Sequence, residues 1–242
     1  MKTFKIYSGL LFLVYLQAGA ADLKPHFDER ISLASSDVLH AKKNVLAHLS
    51  TIGSTHITIT IDDIIKQNVD ALVNAANPDI CFGSGWAGIT KAISDAVGSD
   101  NLHKLDDAVE DAKRRQLGAI RSLNAGEAII SAGFGQLEGK KIIHALAPDL
   151  RVSSKDPQVL KRTYTNTLYR ADEANIISLA LPLLGAGVYG WPAHESAKIA
   201  AYAVKEFLLQ NPHTSLQEIR FVIYDHKQYC QAKPALSSVF DE

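Results

Sequence analysis

Ala71-Leu72-Val73-Asn74-Ala75-Ala76-Asn77-Pro78-Asp79-Ile80-Cys81-Phe82-Gly83-Ser84-Gly85-Trp86-Ala87-Gly88-Ile89 is the stretch on which the fold turns. It opens as an apolar run of strand length, breaks at Asn77-Pro78 and passes through Gly83-Ser84-Gly85. Beyond Trp86, apolar residues recur at helical spacing through Ile89 and Ile93. A strand that runs through a glycine-rich loop into a helix aims backbone N–H groups and the positive helix end at one place, which suits an anion. Glycines let the backbone come close to that anion with no Cβ in the way.

The same device returns about a hundred residues later. Residues 176–184 form a long apolar run, Gly185-Ala186-Gly187-Val188-Tyr189-Gly190 is the loop, and Pro192-Ala193-His194-Glu195 opens a helix. Proline near the first helical turn and an acid just after it are start signals. Two such loops in one domain point to a ligand whose diphosphate is held between them.

Outward from these loops the chain alternates strands and helices. Residues 56–61 alternate strictly and are β-branched, which predicts a strand. Residues 128–132, 141–146 and 219–224 read as further strands, and 100–116, 158–174 and 194–210 as helices, with Ser99 as the expected cap of the first. Residues 31–49 read as a helix built on Val38, Leu39, Val45, Leu46 and Leu49. This alternation predicts an α/β fold with helices on both faces of the sheet and the two loops at the carboxyl ends of their strands.

Residues 1–20 read as a secretory signal: Lys2 and Lys5 are its positive end, residues 6–16 its apolar core, and Ala18-Gly19-Ala20-Ala21 its small-residue cleavage region. That core is too short to cross a bilayer interior of roughly 30 Å, so a cleaved signal is expected over an anchor, with a secreted or periplasmic product. The expected organisation is a signal at 1–20, a helical extension at 21–54 and one domain at 55–242. With 25 basic and 26 acidic residues, no bulk charge draws the chain to nucleic acid or anionic membrane. Cys81 and Cys230 make no disulfide scaffold; two isolated thiols are the simpler reading, although export permits a bridge. The nine histidines follow no metal-binding spacing, and neither a metal nor a cofactor is expected.

The residues 69–77, the glycine loop after them and the 185–190 loop resemble the macro domain family, as do Gly126-Glu127-Ala128, Ile142-Ile143-His144 and Tyr224-Asp225. The likeness runs from about residue 56 to 230. It implies a three-layer α/β/α fold with a mixed central sheet, and a protein that binds ADP-ribose, either hydrolysing it from modified protein or only recognising it. On that resemblance Asp63, seven residues before Asp70, accepts from the adenine amino group, with Ile64 beside it and Asp62 the nearest alternative. Gly83, Ser84, Gly85, Trp86 and Ala87 hold one side of the diphosphate, and Gly185, Ala186, Gly187, Val188 and Tyr189 the other. Tyr189 also covers the distal ribose, Asn77 bonds its hydroxyls and carries the catalytic role, and Tyr224 packs near the adenosine. The implied partner is ADP-ribose or an ADP-ribosylated protein, met by a monomer.

One position departs from the pattern: Ala87 stands where several cellular hydrolases of the family carry an aspartate, as it does in viral members. Trp86 replaces a small aliphatic residue. Against these sites, Asn74 is expected to bond backbone groups at its strand end, and His144 to lie buried without chemistry. Lys113-Arg114-Arg115 reads as a solvated helix end.

Overall fold

A computed structural model describes residues 46–82 and 87–242. The expected signal, most of the expected 31–49 helix, and Gly83, Ser84, Gly85 and Trp86 lie outside the described residues. Seven strands are described: β1 (Ala47–Ile52), β2 (Thr55–Ile61), β3 (Ala71–Ala75), β4 (Ala128–Ala132), β5 (Lys141–Ala145), β6 (Ser178–Leu181) and β7 (Glu218–Ile223). The helices are α1 (Gly88–Val97), α2 (Leu102–Leu117), α3 (Pro157–Glu173), α4 (Ala193–Gln210) and α5 (His226–Phe240).

The strands form one mixed sheet in the order β1-β2-β7-β6-β3-β5-β4. The five central strands run parallel, and β1 and β4 are antiparallel edges. Alternate side chains enter opposite layers, as a pleated strand requires. Ala71 and Val73 of β3 pack with Leu160 and Leu168 of α3, Ala197 and Val204 of α4 and Leu236 of α5. Leu72 packs on the other face with Ile93 of α1 and Leu105 and Val109 of α2. The expected three-layer α/β/α arrangement with a mixed sheet is what forms.

Local structure departs from the expectation in four places, each with a physical reason. Residues 47–49 are strand, not helix: Gly53, at φ 59°, makes a two-residue turn that folds β1 back on β2, and Ile52 pairs with Thr55. Ser99 caps nothing; it opens a short 3-10 turn (Ser99–Asn101), and the residue before α2 is Asn101, with no side-chain cap bond. β6 is only four residues long. Pro182, which follows Leu181, brings no N–H to a ladder, and β6 meets β3 at only Ala71↔Leu179 and Leu72↔Ala180. Finally, α5 follows the last strand, capped by Asp225 and containing Pro234. That internal proline is what interrupts a helical reading of the segment.

Candidate functional site

Because β2, β7, β6, β3 and β5 are parallel, the segments leaving their carboxyl ends gather along one edge of the sheet, where open α/β sheets take ligands. In spatial order these are Asp62 and Asp63, Tyr224 and Asp225, residues 182–190, residues 76–82 and residues 146–149. At about 4.8 Å per strand, the ends of β2 and β3 lie roughly 14 Å apart.

The loop after β6 is held from below by side chains acting as a neighbouring strand. Leu184 N–H donates to Tyr164 Oη at 2.7 Å, and Ser196 Oγ donates to Leu184 O at 2.8 Å. Tyr164 Oη and Ser196 Oγ are themselves 2.7 Å apart, closing the ring. Burial pushes the Tyr164 hydroxyl pKa up, so the phenol stays protonated. Gly185 sits at φ 76°, and a Cβ there would lie 2.6 Å from Trp191 Cδ1. Only glycine fits. Trp191 is locked in turn, its Nε1 donating to Pro148 O at 2.8 Å. Gln228 of α5 donates to Ala186 O, and Leu150 N–H to Tyr189 O. The backbone N–H groups of Gly187, Val188 and Tyr189 find no acceptor among the described residues, and Gly187 and Val188 are exposed.

The loop after β3 is equally constrained. Asn77 clasps Cys81 from both sides, Oδ1 accepting from Cys81 N–H at 3.1 Å and Nδ2 donating to Cys81 O at 3.2 Å. One amide hydrogen and one lone pair of Asn77 remain for other partners. Ile80 is buried at φ 56°, a conformation a β-branched residue avoids, with a cost on the order of 1–3 kcal/mol. The turn is kept by Lys113 Nζ on Asp79 O at 2.8 Å, by Leu123 N–H on Pro78 O at 2.7 Å and by Ser122 Oγ on Asp79 Oδ1. Ala87, the residue before α1, is exposed and extended, and offers no side-chain cap.

The two loops meet. Tyr189 Oη lies 3.5 Å from Ala76 O, so the aromatic ring of the second loop covers the start of the first. Arg151 stacks over that ring at 5.5 Å and is paired with Asp149. Burial raises the Tyr189 phenol, with the Asp149 charge adding to it. The Arg151 guanidinium holds the Asp149 carboxyl below its ordinary range.

At the other end, Asp63 Oδ1 accepts from Ile65 N–H at 3.0 Å and caps a single 3-10 turn (Ile64–Lys66). Its Oδ2 takes no hydrogen bond among the described residues. The Ile64 side chain is buried in the core, which leaves only its backbone for a ligand. Asp62 is occupied: Oδ1 accepts from Asp63 N–H and Oδ2 from Gln67 Nε2, both at 2.8 Å. Tyr224 is 73% exposed beside them, since Asp62 N–H bonds Ile223 O.

Beneath the first loop runs a buried polar chain. Thr90 of α1 donates to Asn74 Oδ1 at 3.0 Å, Asn74 Nδ2 lies 3.3 Å from His144 Nδ1, and His144 Nε2 lies 2.8 Å from Ser131 Oγ. Ser131 Oγ donates to Ala132 O, so its lone pair receives the Nε2 proton and Nδ1 accepts from Asn74. Burial, helped by the nearby Lys113 charge, lowers the His144 pKa to about 3, which keeps the ring neutral in this one tautomer. Asn74 thus bonds side chains of β5 and α1 and not the backbone groups expected of it.

No group of three or more His, Cys, Asp or Glu side chains is placed to hold a metal ion among the described residues. Cys81 and Cys230 are exposed, unbridged thiols. An open depression between α2 and β4, lined by Asp111, Gln116, Ile130, Ser131 and Lys141, lies at the amino ends of the parallel strands and includes neither Asp63, Asn77 nor any residue of the 185–190 loop.

The macro domain family model matches residues 73–200. A macro domain-containing protein of Listeria monocytogenes serotype 4b is 34% identical over 172 residues, covering 71% of this chain and 91% of that protein. The chain belongs to the macro domain family. Among solved structures, a point mutant of the Oceanobacillus iheyensis macrodomain with ADPR superposes at TM-score 0.70 and 26% identity, over 82% of this chain and all of that one. The same protein with ADP superposes at TM-score 0.69 and 28% identity, over 82% of this chain and 99% of that one.

This macro domain brings Asp63, Ile64, Asn77, Gly185, Ala186, Gly187, Val188, Tyr189 and Tyr224 to one edge of the sheet, with Ala87 opening α1 after the first loop. The sequence reading missed the residues that hold the loops in shape: Tyr164, Ser196, Gln228, Arg151 and Lys113. Lys113 is the instructive case. It is 7% exposed, not solvated, and it lies four residues after the buried Val109 and eight after the buried Leu105. Helical spacing places it on the apolar stripe.

Proposed function

We propose that this macro domain binds ADP-ribose along the carboxyl ends of β2, β7, β6 and β3. It acts as a monomer and hydrolyses the bond between the ribose and a protein carboxylate or acetate. The reading is carried by one observation: two loops from adjacent parallel strands meet at Tyr189 and Ala76, and three amides of the second are without acceptors among the described residues. The ADPR and ADP held by the related macrodomain support it.

In this reading the adenine lies at the open carboxylate oxygen of Asp63 and the Ile64 backbone, with Tyr224 against the adenosine. The diphosphate sits between residues 83–87 and 185–189. The distal ribose lies under Tyr189, bonded by the remaining hydrogen-bonding capacity of Asn77. For the protein-linked ester, water adds to the anomeric carbon as the protein carboxylate leaves with the bonding pair, and a ligand phosphate oxygen takes the water proton. The protein contributes position and fixed dipoles. In well-studied enzymes, loss of one such donor lowers the rate by about 10²–10³.

Release of labelled ADP-ribose from mono-ADP-ribosylated protein tests the hydrolysis. Turnover by the wild type, falling by about 10² or more in Asn77→Ala with a smaller loss of affinity, supports it. Binding without release makes the chain a non-catalytic ADP-ribose reader, a reading that Ala87 favours because no acid stands at that position. The composition of residues 1–20 supports export, which N-terminal sequencing of the mature protein tests.

A further inference from the structure

Gln67 follows the 3-10 turn that Asp63 caps, and its side chain folds back onto that turn. The residue is buried, at 5% exposure, where an amide is costly unless it is hydrogen-bonded. Its Nε2 donates to Asp62 Oδ2 at 2.8 Å and to Asp63 O at 2.9 Å, which uses both amide hydrogens. Its Oε1 accepts from Arg220 Nη1 of β7 at 3.0 Å. Arg220 is held in turn by Glu218 Oε1, to which Nε donates at 2.9 Å and Nη2 at 2.6 Å. A guanidinium only donates, so Oε1 has to face Arg220; an ionised carboxylate and a carbonyl only accept, so Nε2 has to face Asp62 and Asp63. A flipped amide would lose all three bonds.

We propose that Gln67, oriented by Arg220, is a positioning residue for base recognition, fixing the Asp62–Asp63 turn so that the Asp63 carboxylate meets the adenine amino group. Asp63 is gripped on both sides of its Cα. Its N–H donates to Asp62 Oδ1 at 2.8 Å, while Gln67 steadies the other oxygen of that carboxylate. Its carbonyl accepts from Gln67 Nε2 and from Lys66 N–H. Its own Oδ1 accepts from Ile65 N–H. With the backbone and one carboxylate oxygen held, the direction of Oδ2 is set. The backbone of Gln67 is anchored as well, since Lys140 Nζ donates to Gln67 O at 2.6 Å and to Val69 O at 3.1 Å. Adenine presents a donor to Oδ2 where the inosine base presents an acceptor, and a shift of about 1 Å takes such a bond out of range. Discrimination between the two bases therefore depends on how firmly the turn is held. The proposal rests on the ADP-ribose reading above and deepens it.

The test is titration of the full chain and its variants with ADP-ribose and, separately, with inosine diphosphate ribose. Gln67→Met, close in volume but with no amide, is expected to lower the preference for ADP-ribose by about tenfold, with the inosine ligand nearly unchanged. Gln67→Glu keeps an oxygen for Arg220 but turns the other against Asp62, and loses as much. Arg220→Lys, which keeps a donor for Gln67 Oε1, retains most of the preference, and Arg220→Met does not. Added to Asp63→Asn, Gln67→Met lowers the preference no further, because it acts through that carboxylate. Equal weakening of both ligands in Gln67→Met, or a further loss of preference in the double variant, makes Gln67 a structural pin and overturns the proposal. Where a variant fails to fold, the side-chain amide ¹H–¹⁵N resonances of wild-type Gln67 decide: they shift more with ADP-ribose than with the inosine ligand, and equal shifts overturn the proposal. A wild type that takes up no ADP-ribose removes the underlying reading itself. That result is separable from a preference that Asp63→Asn abolishes and Gln67→Met leaves intact, which overturns this proposal alone.

Discussion

At the scale of single residues, Gly185 is the most constrained position in the second loop. Its φ of 76° and the 2.6 Å gap to Trp191 Cδ1 leave no room for a methyl group. Gly185→Ala is expected to push Trp191 off Pro148 O, lower stability by about 1–3 kcal/mol and reduce ADP-ribose affinity at least tenfold, read by denaturation and calorimetry. The two carboxylate oxygens of Asp63 are separable, since Oδ1 caps the turn and Oδ2 takes no hydrogen bond among the described residues. Asp63→Asn keeps an acceptor for Ile65 N–H while altering the open side. It is expected to keep wild-type stability but lose the preference for ADP-ribose over its inosine analogue, and an unchanged preference rules the adenine assignment out. The positions gathered at the carboxyl edge were legible because glycine, Asn-Pro and aromatic residues in loops carry local signals. Lys113, Tyr164 and Ser196 were not, because each acts on a segment distant in the chain: Lys113 on Asp79, Tyr164 and Ser196 on Leu184.

At the scale of elements, the first turn of α1 is aimed by the buried chain Thr90–Asn74–His144–Ser131, which ties it to β3, β5 and β4. Thr90→Val fills the same volume but strands Asn74 Oδ1 without a donor. An unsatisfied buried acceptor costs about 1–3 kcal/mol, so the urea midpoint should fall with an unchanged m-value, and ADP-ribose affinity should fall with it. No change in midpoint means that Asn74 finds another partner. Strands β2, β3, β4, β5 and β7 were readable from apolar runs because local pattern and burial agree there. β6 came out shorter than its apolar run because Pro182 ends the ladder while the next residues remain buried. β1 was misread because an edge strand buries little, so its pattern is weak; pairing with β2 through the Gly53 turn decides it. The helix α5 was unread because Pro234 interrupts it.

At the scale of the whole molecule, His144 and Glu127 are among the groups that tie stability to pH. The unfolded chain takes up a proton on His144 near its ordinary 6.5, while the folded protein resists until about 3. Stability is therefore complete above 6.5 and falls through that window as pH drops. Hydrogen bonds from Arg121 hold the Glu127 carboxyl at about 2 against an ordinary 4.5, so its contribution is present above 4.5 and is lost as pH falls toward 2. Each proton taken up on unfolding gives a slope of about 1.4 kcal/mol per pH unit. His144→Gln is expected to flatten unfolding free energy against pH by about one such slope between 6.5 and 4.5; an unchanged slope means that the imidazole is not held neutral. The parallel order of the five central strands is what brings Asp63, Tyr224, the 185–190 loop and Asn77 to one edge, a convergence that only the assembled sheet displays. The most direct test of that convergence is an amide ¹H–¹⁵N titration of the wild type with ADP-ribose. The account predicts that the largest shifts fall on Gly187, Val188 and Tyr189, on residues 83–88 and on Ile64. Shifts that are absent, or that gather at the opposite edge around Gln116, Ile130 and Lys141, would contradict it.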